Sequence, residues 1–405
     1  MTTFACLLVL TSGYATSSDT YTSTPLILKV SKILAESVIK GSNYQIEEDV
    51  VNDGLINIYS ITSEYGEVEA EGTIELHIRV AEFHAISVME EMDRSDIFGE
   101  ALGKGLMAPV KGVAALVTEP VETTKSAAKG LGQFFSNVGR AFVSDDPDQD
   151  NVAKVILGYD VAKRQFAYEL GINPYTDNDL VREPLGKISR AAVAGGLVPR
   201  AAMAAIDSTA ITIARVTGTT HAMKELVRDN SPGKLDKINR KKLEAMGVSS
   251  GLAESFLDNY TYDPYEETLL VGELEFMERV KGRDKFITVA TGASEASVAR
   301  YYRAVVQMMG AYHTYIDKVK EIRNIRGILH LYKADGTIVI LSPVDYVFWT
   351  KRLADRLTEF ESQLNNSPKK EIWITGQFDE QARVQFENAG WKVIENAEDT
   401  LLKDI

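Results

Sequence analysis

The spacing of apolar residues changes period along the chain. Leu28, Val30, Ile33, Leu34 and Val38 recur at helical intervals, which predicts a helix over 25–39. Residues 44–62 and 67–80 alternate instead. Leu55-Ile56-Asn57-Ile58-Tyr59 and Thr73-Ile74-Glu75-Leu76-His77-Ile78 show the period of two expected of half-buried strands, with Tyr65-Gly66 as a turn between the two regions. Residues 83–92 return to helix. The stretch 16–92 therefore reads as a helix plus an antiparallel sheet.

Residues 152–325 read as a helical domain, with periodic stretches at 152–170, 185–194, 200–216, 234–246, 252–259, 266–280 and 294–316. Gly171-Ile172-Asn173-Pro174, Gly195-Gly196, Ser231-Pro232-Gly233 and Gly247 separate them. The helices are uneven in length and follow no fixed repeat, so an irregular α-domain is expected rather than a solenoid.

Residues 326–405 form the last unit. Strands at 327–333 and 337–341 flank Ala334-Asp335-Gly336, a hairpin signature. Ser342-Pro343-Val344-Asp345 has the marks of a helix start: a serine cap, proline in the first turn and a carboxylate at the positive end of the dipole. That helix is expected to run to 363. A strand at 371–375, a helix at 379–389 closed by Gly390 and a strand at 391–394 make a β-α-β unit with parallel strands. The pattern as a whole predicts an α+β multidomain protein: an N-terminal helix with antiparallel strands, a mainly helical centre, and a small C-terminal α/β unit with a hairpin and a β-α-β.

Composition narrows the function classes. The chain has 405 residues, 45% hydrophobic and 25% charged, which is ordinary for globular domains. The net charge of −14 argues against a nucleic-acid partner. Cys6 is the single cysteine, so neither an internal disulfide nor a cysteine-rich metal site is expected. No run of 18 apolar residues occurs, so a membrane-spanning helix is not expected either.

Two stretches bear on location and partners. Phe4 to Leu10 is a short apolar run followed by small residues at Gly13 and Ala15. This is the outline of a signal peptide over 1–15, although a basic start is missing. It predicts an exported protein, periplasmic, outer-membrane associated or secreted; a buried first strand at the same place would leave the protein in the cytoplasm. Residues 93–143 hold seven glycines, about twice the chain's average density. Leu102, Leu106, Phe134, Phe135 and Phe142 give this Gly-rich amphipathic segment apolar faces, with Lys111, Lys125 and Lys129 among them. It is the expected contact for a protein partner or a membrane surface. The acidic run at 144–151 reads as a linker.

Candidate chemistry is sparse. Gly99-x-x-x-Gly103-Lys104-Gly105 is one residue short of a phosphate loop and lacks the hydroxyl after lysine. Ser37-x-x-Lys40 and Ser126-x-x-Lys129 match a serine-hydrolase pattern, and Thr176-Asp177-Asn178 mimics its companion, but no Lys-Thr-Gly accompanies them. Counted as a calcium loop from Asp146, the acidic run places Asn151 and Leu157 where Gly and Glu are needed. His77, His84, His221, His313 and His330 show no zinc spacing. Residues 242–257 have the outline of a helix-turn-helix, preceded by Lys234, Lys237, Arg240 and Lys241. The second helix, however, carries Glu254 and Asp258 and no cation. Thr375-Gly376 opens a helix whose end is already occupied by Asp379 and Glu380. Tyr260, Tyr262 and Tyr265, mixed with Asp258, Asp263, Glu266 and Glu267, are the nearest approach to a carbohydrate-cleaving loop. No catalytic residue, cofactor site or metal site is assigned. The expected function is a non-enzymatic envelope protein with a structural or interaction role; the alternative is a carboxylate-dependent, glycosidase-like hydrolase.

Overall fold

Strand pairing starts where the sequence alternates most cleanly. In the computed structural model, which describes residues 21–94, 151–195, 219–364 and 369–402, the N-terminal sheet is antiparallel. It contains β1 (Leu26–Lys29), β2 (Tyr44–Ile46), β3 (Asp49–Asn52), β4 (Asn57–Ser63) and β5 (Gly66–Glu71). The order is β1-β3-β4-β2, with β5 also pairing to β4. On β4, Tyr59 and Ile61 are buried while Ser60 and Thr62 are exposed, the alternation that a one-sided core imposes.

Two expectations here are corrected. Residues 25–39 do not form one helix. Leu26–Lys29 pairs with β3 as an edge strand, followed by single-turn helices α1 (Val30–Ile33) and α2 (Glu36–Ile39). Leu26 and Leu28 face inward while Ile27 and Lys29 face out, so the apolar residues also satisfy a period of two. Thr73–Ile78 is helix, not strand: α3 spans Thr73–Arg94. Its inward positions Leu76, Phe83 and Ile86 recur at helical spacing. Gly72, at φ 91°, ends the strand in a conformation that favours glycine.

Among the described residues the next helices are α4 (Asn151–Leu170), α5 (Asp179–Gly195), α6 (Thr219–Asp229), α7 (Pro232–Ala245), α8 (Ser250–Leu257) and α9 (Pro264–Phe276). Then come α10 (Arg283–Ala290), α11 (Ala296–Ala311) and a single π turn over Tyr312–Ile316. The helix expected at 200–216 lies outside the described residues, as do residues 1–20, the acidic run up to 150, and 93–143 apart from the last two residues of α3. Gly247 takes φ 89° between α7 and α8, and Leu243, Val248, Ala253 and Phe256 pack inward as an ordinary helical hairpin.

The C-terminal sheet contains β6 (Val319–Ile325), β7 (Ile328–Lys333), β8 (Ile338–Ser342), β10 (Lys370–Ile374) and β12 (Trp391–Ile394), in the order β12-β10-β8-β7-β6. Strand β10 runs parallel to both β8 and β12, and the hairpin strands run antiparallel. A parallel pair, β9 (Tyr346–Val347) with β11 (Gln377–Phe378), stands beside it. Helices α12 (Lys351–Ser362), α13 (Glu380–Asn388) and α14 (Glu398–Leu401) complete the chain. The helix expected from Ser342 starts instead at Lys351, capped by the Thr350 hydroxyl. Ser342 ends β8, and residues 345–348 are held as extended chain by Leu55 O and Gly54 O. Proline in a cap-like frame was compatible with either outcome.

Alternation across the sheet divides its two faces between cores. Val339, Leu341 and Trp373 join Phe256, Phe286 and Tyr312 in one core. Ile338, Ile372 and Ile374 join Trp349, Phe360 and Trp391 in another. A third core combines the N-terminal sheet and α3 with Phe166, Leu170, Val181 and Leu185 of α4 and α5. The protein is α+β and multidomain, and the helices of the central region are shared between two cores.

Candidate functional site

A polar cavity of about 260 Å³ lies where α3, the α4–α5 loop, α6, α9, α11 and the C-terminal tail converge. Helical spacing on α3 stacks Glu75, Arg79 and Glu82 along one stripe. Arg79 donates to Glu75 at 2.6 Å, to Glu82 at 3.0 Å and to Asp177 at 2.9 Å. From α11, Arg300 donates to Glu75 at 2.7 Å and to Asp177 at 3.0 Å. Glu82 also accepts from Asn178 at 2.8 Å and from the Thr176 hydroxyl. Burial works against both guanidinium charges, but the surrounding carboxylates outweigh it and raise the pKa of Arg79 and of Arg300. Burial pushes Asp177 up, and Arg300 with Arg79 more than reverses that, leaving it below the usual carboxylate range.

The α9 side of the cavity is different. Asp263 caps α9: it accepts from the backbone N–H groups of Tyr265 and Glu266 at 2.8 and 2.9 Å, and from Asn173 at 2.7 Å. Burial, with Glu266 nearby, pushes its pKa up to about 7. Glu266 pairs with Arg303 at 2.6 Å, and Arg303 donates to Gln307 at 2.9 Å. Lys224 of α6 faces the same space. Burial, then the adjacent Arg303, lower its pKa to about 8 against the pull of Glu266. Among the described residues the Lys224 ammonium donates no hydrogen bond. At the tail end of the cavity, His77 Nδ1 lies 3.6 Å from Glu398.

The structure divides the acidic tyrosine-rich loop. Tyr265, Asp263 and Glu266 line the cavity. Tyr262 is in the core and bonds Ala290 O at 2.9 Å. Glu267 is buried but does not line the cavity, while Tyr260 is 91% exposed and Asp258 faces outward. Thr176-Asp177-Asn178 sits at the cavity as ligands of Arg79, Arg300 and Glu82 rather than as hydrolase machinery. His84 packs beside Tyr44, His313 Nδ1 accepts from Val319 N, and His330 is buried against Phe360. The basic residues before α8 are surface pairs in part: Lys242 with Glu275 at 2.6 Å and Arg240 with Asp236 at 3.5 Å.

Sequence reasoning missed Arg79, Arg300, Arg303 and Lys224. The Glu75-x-x-x-Arg79-x-x-Glu82 stripe was readable only once the segment is helical. No cluster of three or more metal-capable side chains occurs among the described residues, and no described helix is long and apolar enough to cross a membrane. Comparison with protein-family models, with curated proteins and with solved structures gives no match to this chain.

Proposed function

We propose that the chain is a non-enzymatic binding protein of the cell envelope, and that its polar cavity receives the anionic end of a small polar ligand. The observation that carries this reading is Lys224, a largely buried cation that faces the cavity beside Arg303 without a hydrogen-bond acceptor among the described residues. The carboxylates around it support binding over hydrolysis. Glu75, Glu82 and Asp177 are held by arginines, Glu266 pairs with Arg303, and Asp263 caps a helix. A glycosidase-like reaction needs one free acid and one free base flanking the bond.

Calorimetric titration with succinate and with inorganic phosphate tests the site. Binding by the wild type is expected, weakened about tenfold in Lys224→Met. It should fade as the pH rises through about 8, where the ammonium loses its proton. Equal affinity in the variant rules the reading out. Export and partner binding through residues 93–143 belong to the same proposal and rest on sequence alone. Intact-mass measurement of protein from its native host should give a chain beginning near Thr16; retention of Met1 would refute export.

A further inference from the structure

A second cavity, of about 460 Å³, lies between the C-terminal sheet and α12. Its walls follow from period-two and period-four spacing. Ile340, Ile372 and Ile374 come from one face of the sheet, and Leu353 and Leu357 from one stripe of α12. Phe378 and Phe386 add aromatic surface. Protein interiors pack as densely as organic crystals. A space of this size, with so apolar a wall, has the dimensions and chemistry of a small-molecule pocket.

The polar groups are few and placed unequally. Tyr301 and Ser342 are bonded to each other at 3.1 Å. Arg352 and Arg356 lie one turn apart on α12, and both line the cavity. Their side chains are 66% and 51% exposed, so the guanidinium groups stand at the rim with apolar residues behind them. Their acidic neighbours hold them loosely. Arg352 reaches Asp53 at 3.3 Å. Arg356 is 3.9 Å from Glu359, whose carboxylate is engaged by Arg326 at 2.5 Å. An apolar chamber with two such cations at its mouth complements a molecule with an alkyl chain and one anionic end.

We propose that this cavity binds a single-chain amphiphile with an anionic headgroup. The alkyl chain lies among Ile340, Leu353, Leu357, Ile372 and Ile374, and the headgroup pairs with Arg352 and Arg356. This site is separate from the polar cavity and does not depend on Lys224.

Full-length protein freed of lipid is titrated with monomeric dodecanoate, dodecyl phosphate, dodecanol and acetate. Dodecanoate is expected to bind at one site, and acetate not to bind. In Arg352→Gln/Arg356→Gln, dodecanoate affinity should fall about tenfold while dodecanol affinity stays within about twofold. Both arginines are exposed, so this variant keeps the fold. Leu357→Trp, which fills the chamber, should weaken dodecanoate and dodecanol together. The ratio of dodecanoate to dodecyl phosphate affinity identifies a fatty carboxylate or a phosphate headgroup as the source of the charge. The proposal is overturned if dodecanoate fails to bind, or if acetate matches it. It is equally overturned if the double variant leaves the dodecanoate-to-dodecanol ratio unchanged, or if the protein binds anionic phosphatidylglycerol vesicles but not monomeric amphiphile.

Discussion

Glu267 and Asp263 stand one helical turn apart at the start of α9, and burial acts on both. Burial, with Asp263, Asp236 and Asp258 adding to it, pushes Glu267 up to about 9 from an ordinary 4.5. A carboxyl with a raised folded-state pKa contributes stability that is fully present below its unfolded value and is lost as the pH rises through the folded value. The protein should therefore lose stability between about pH 5 and pH 9. Glu267→Gln should remove much of that loss, matching the wild type near pH 5 and exceeding it near pH 9 by more than about 1 kcal/mol. Thermal unfolding across that range reads the crossover, and parallel curves would contradict it. The sequence placed Glu267 beside Asp263 and Glu266 as one acidic loop. Successive helical residues point about 100° apart, which turns Glu267 away from its neighbour Glu266 and brings it near Asp263, one turn earlier. The cations of the polar cavity were illegible for a different reason: Arg300 meets Glu75 across 225 positions, and no local pattern encodes such a meeting.

Elements defined by their own turn chemistry were the most legible. The β7–β8 hairpin, the β10-α13-β12 unit and the α7–α8 turn all appear where apolar spacing and glycine position them. Trp373 and Trp391 are both buried, and β10 and β12 are parallel neighbours. Gly390 has φ 82°, with open space around a would-be side chain except for the Lys370 stem at 3.8 Å. Gly390→Val should then cost about 1–2 kcal/mol through backbone strain alone, measurable as a lower urea midpoint with unchanged m value. Gly376 has the opposite character. A Cβ there would meet Asp345 O at 1.7 Å, so the close approach of two loops, not φ, demands glycine. Elements whose bounds depend on distant partners were not legible. The start of α3 and the extended stretch before α12 are set by each other. The Asp345 carboxylate accepts from Thr73 N at 2.9 Å and from Asn57 N at 2.8 Å, and so caps a helix it is nowhere near in sequence.

At the scale of the whole molecule, the three cores do not follow chain order. Phe166, Leu170, Val181, Leu185 and Ile188 are buried with the N-terminal sheet, although the acidic run at 144–150 lies between them and it in sequence. Limited proteolysis is expected to cut first in that acidic run, where aspartates and proline cluster. The two fragments should remain together on native size-exclusion chromatography and separate only in denaturant. Dissociation on cleavage would mean that α4 and α5 do not complete the first core. The ion pairs reinforce the same joint. Arg79 and Arg300 tie α3 to the α4–α5 loop and to α11, with side chains 9% and 15% exposed. Arg79→Met, which leaves Glu82 and Glu75 short of a counter-charge, should cost about 3–5 kcal/mol, read by chemical denaturation.

The Asp345 cap also sets an order of events during synthesis. The carboxylate and the helix end it completes are separated by 272 residues, and its second partner, Asn57, by 288. At the pace of a ribosome, on the order of ten seconds or more pass between the emergence of Thr73 and that of Asp345. Throughout that interval the N–H groups of Thr73 and Asn57 lack the acceptor they have in the finished protein. The N-terminal end of α3 is thus uncapped while the rest of the chain is being made, and a nascent chain stalled before residue 345 would exchange the amide protons of Thr73 and Asn57 faster than the finished protein. A carboxylate made late thus completes a helix end made early.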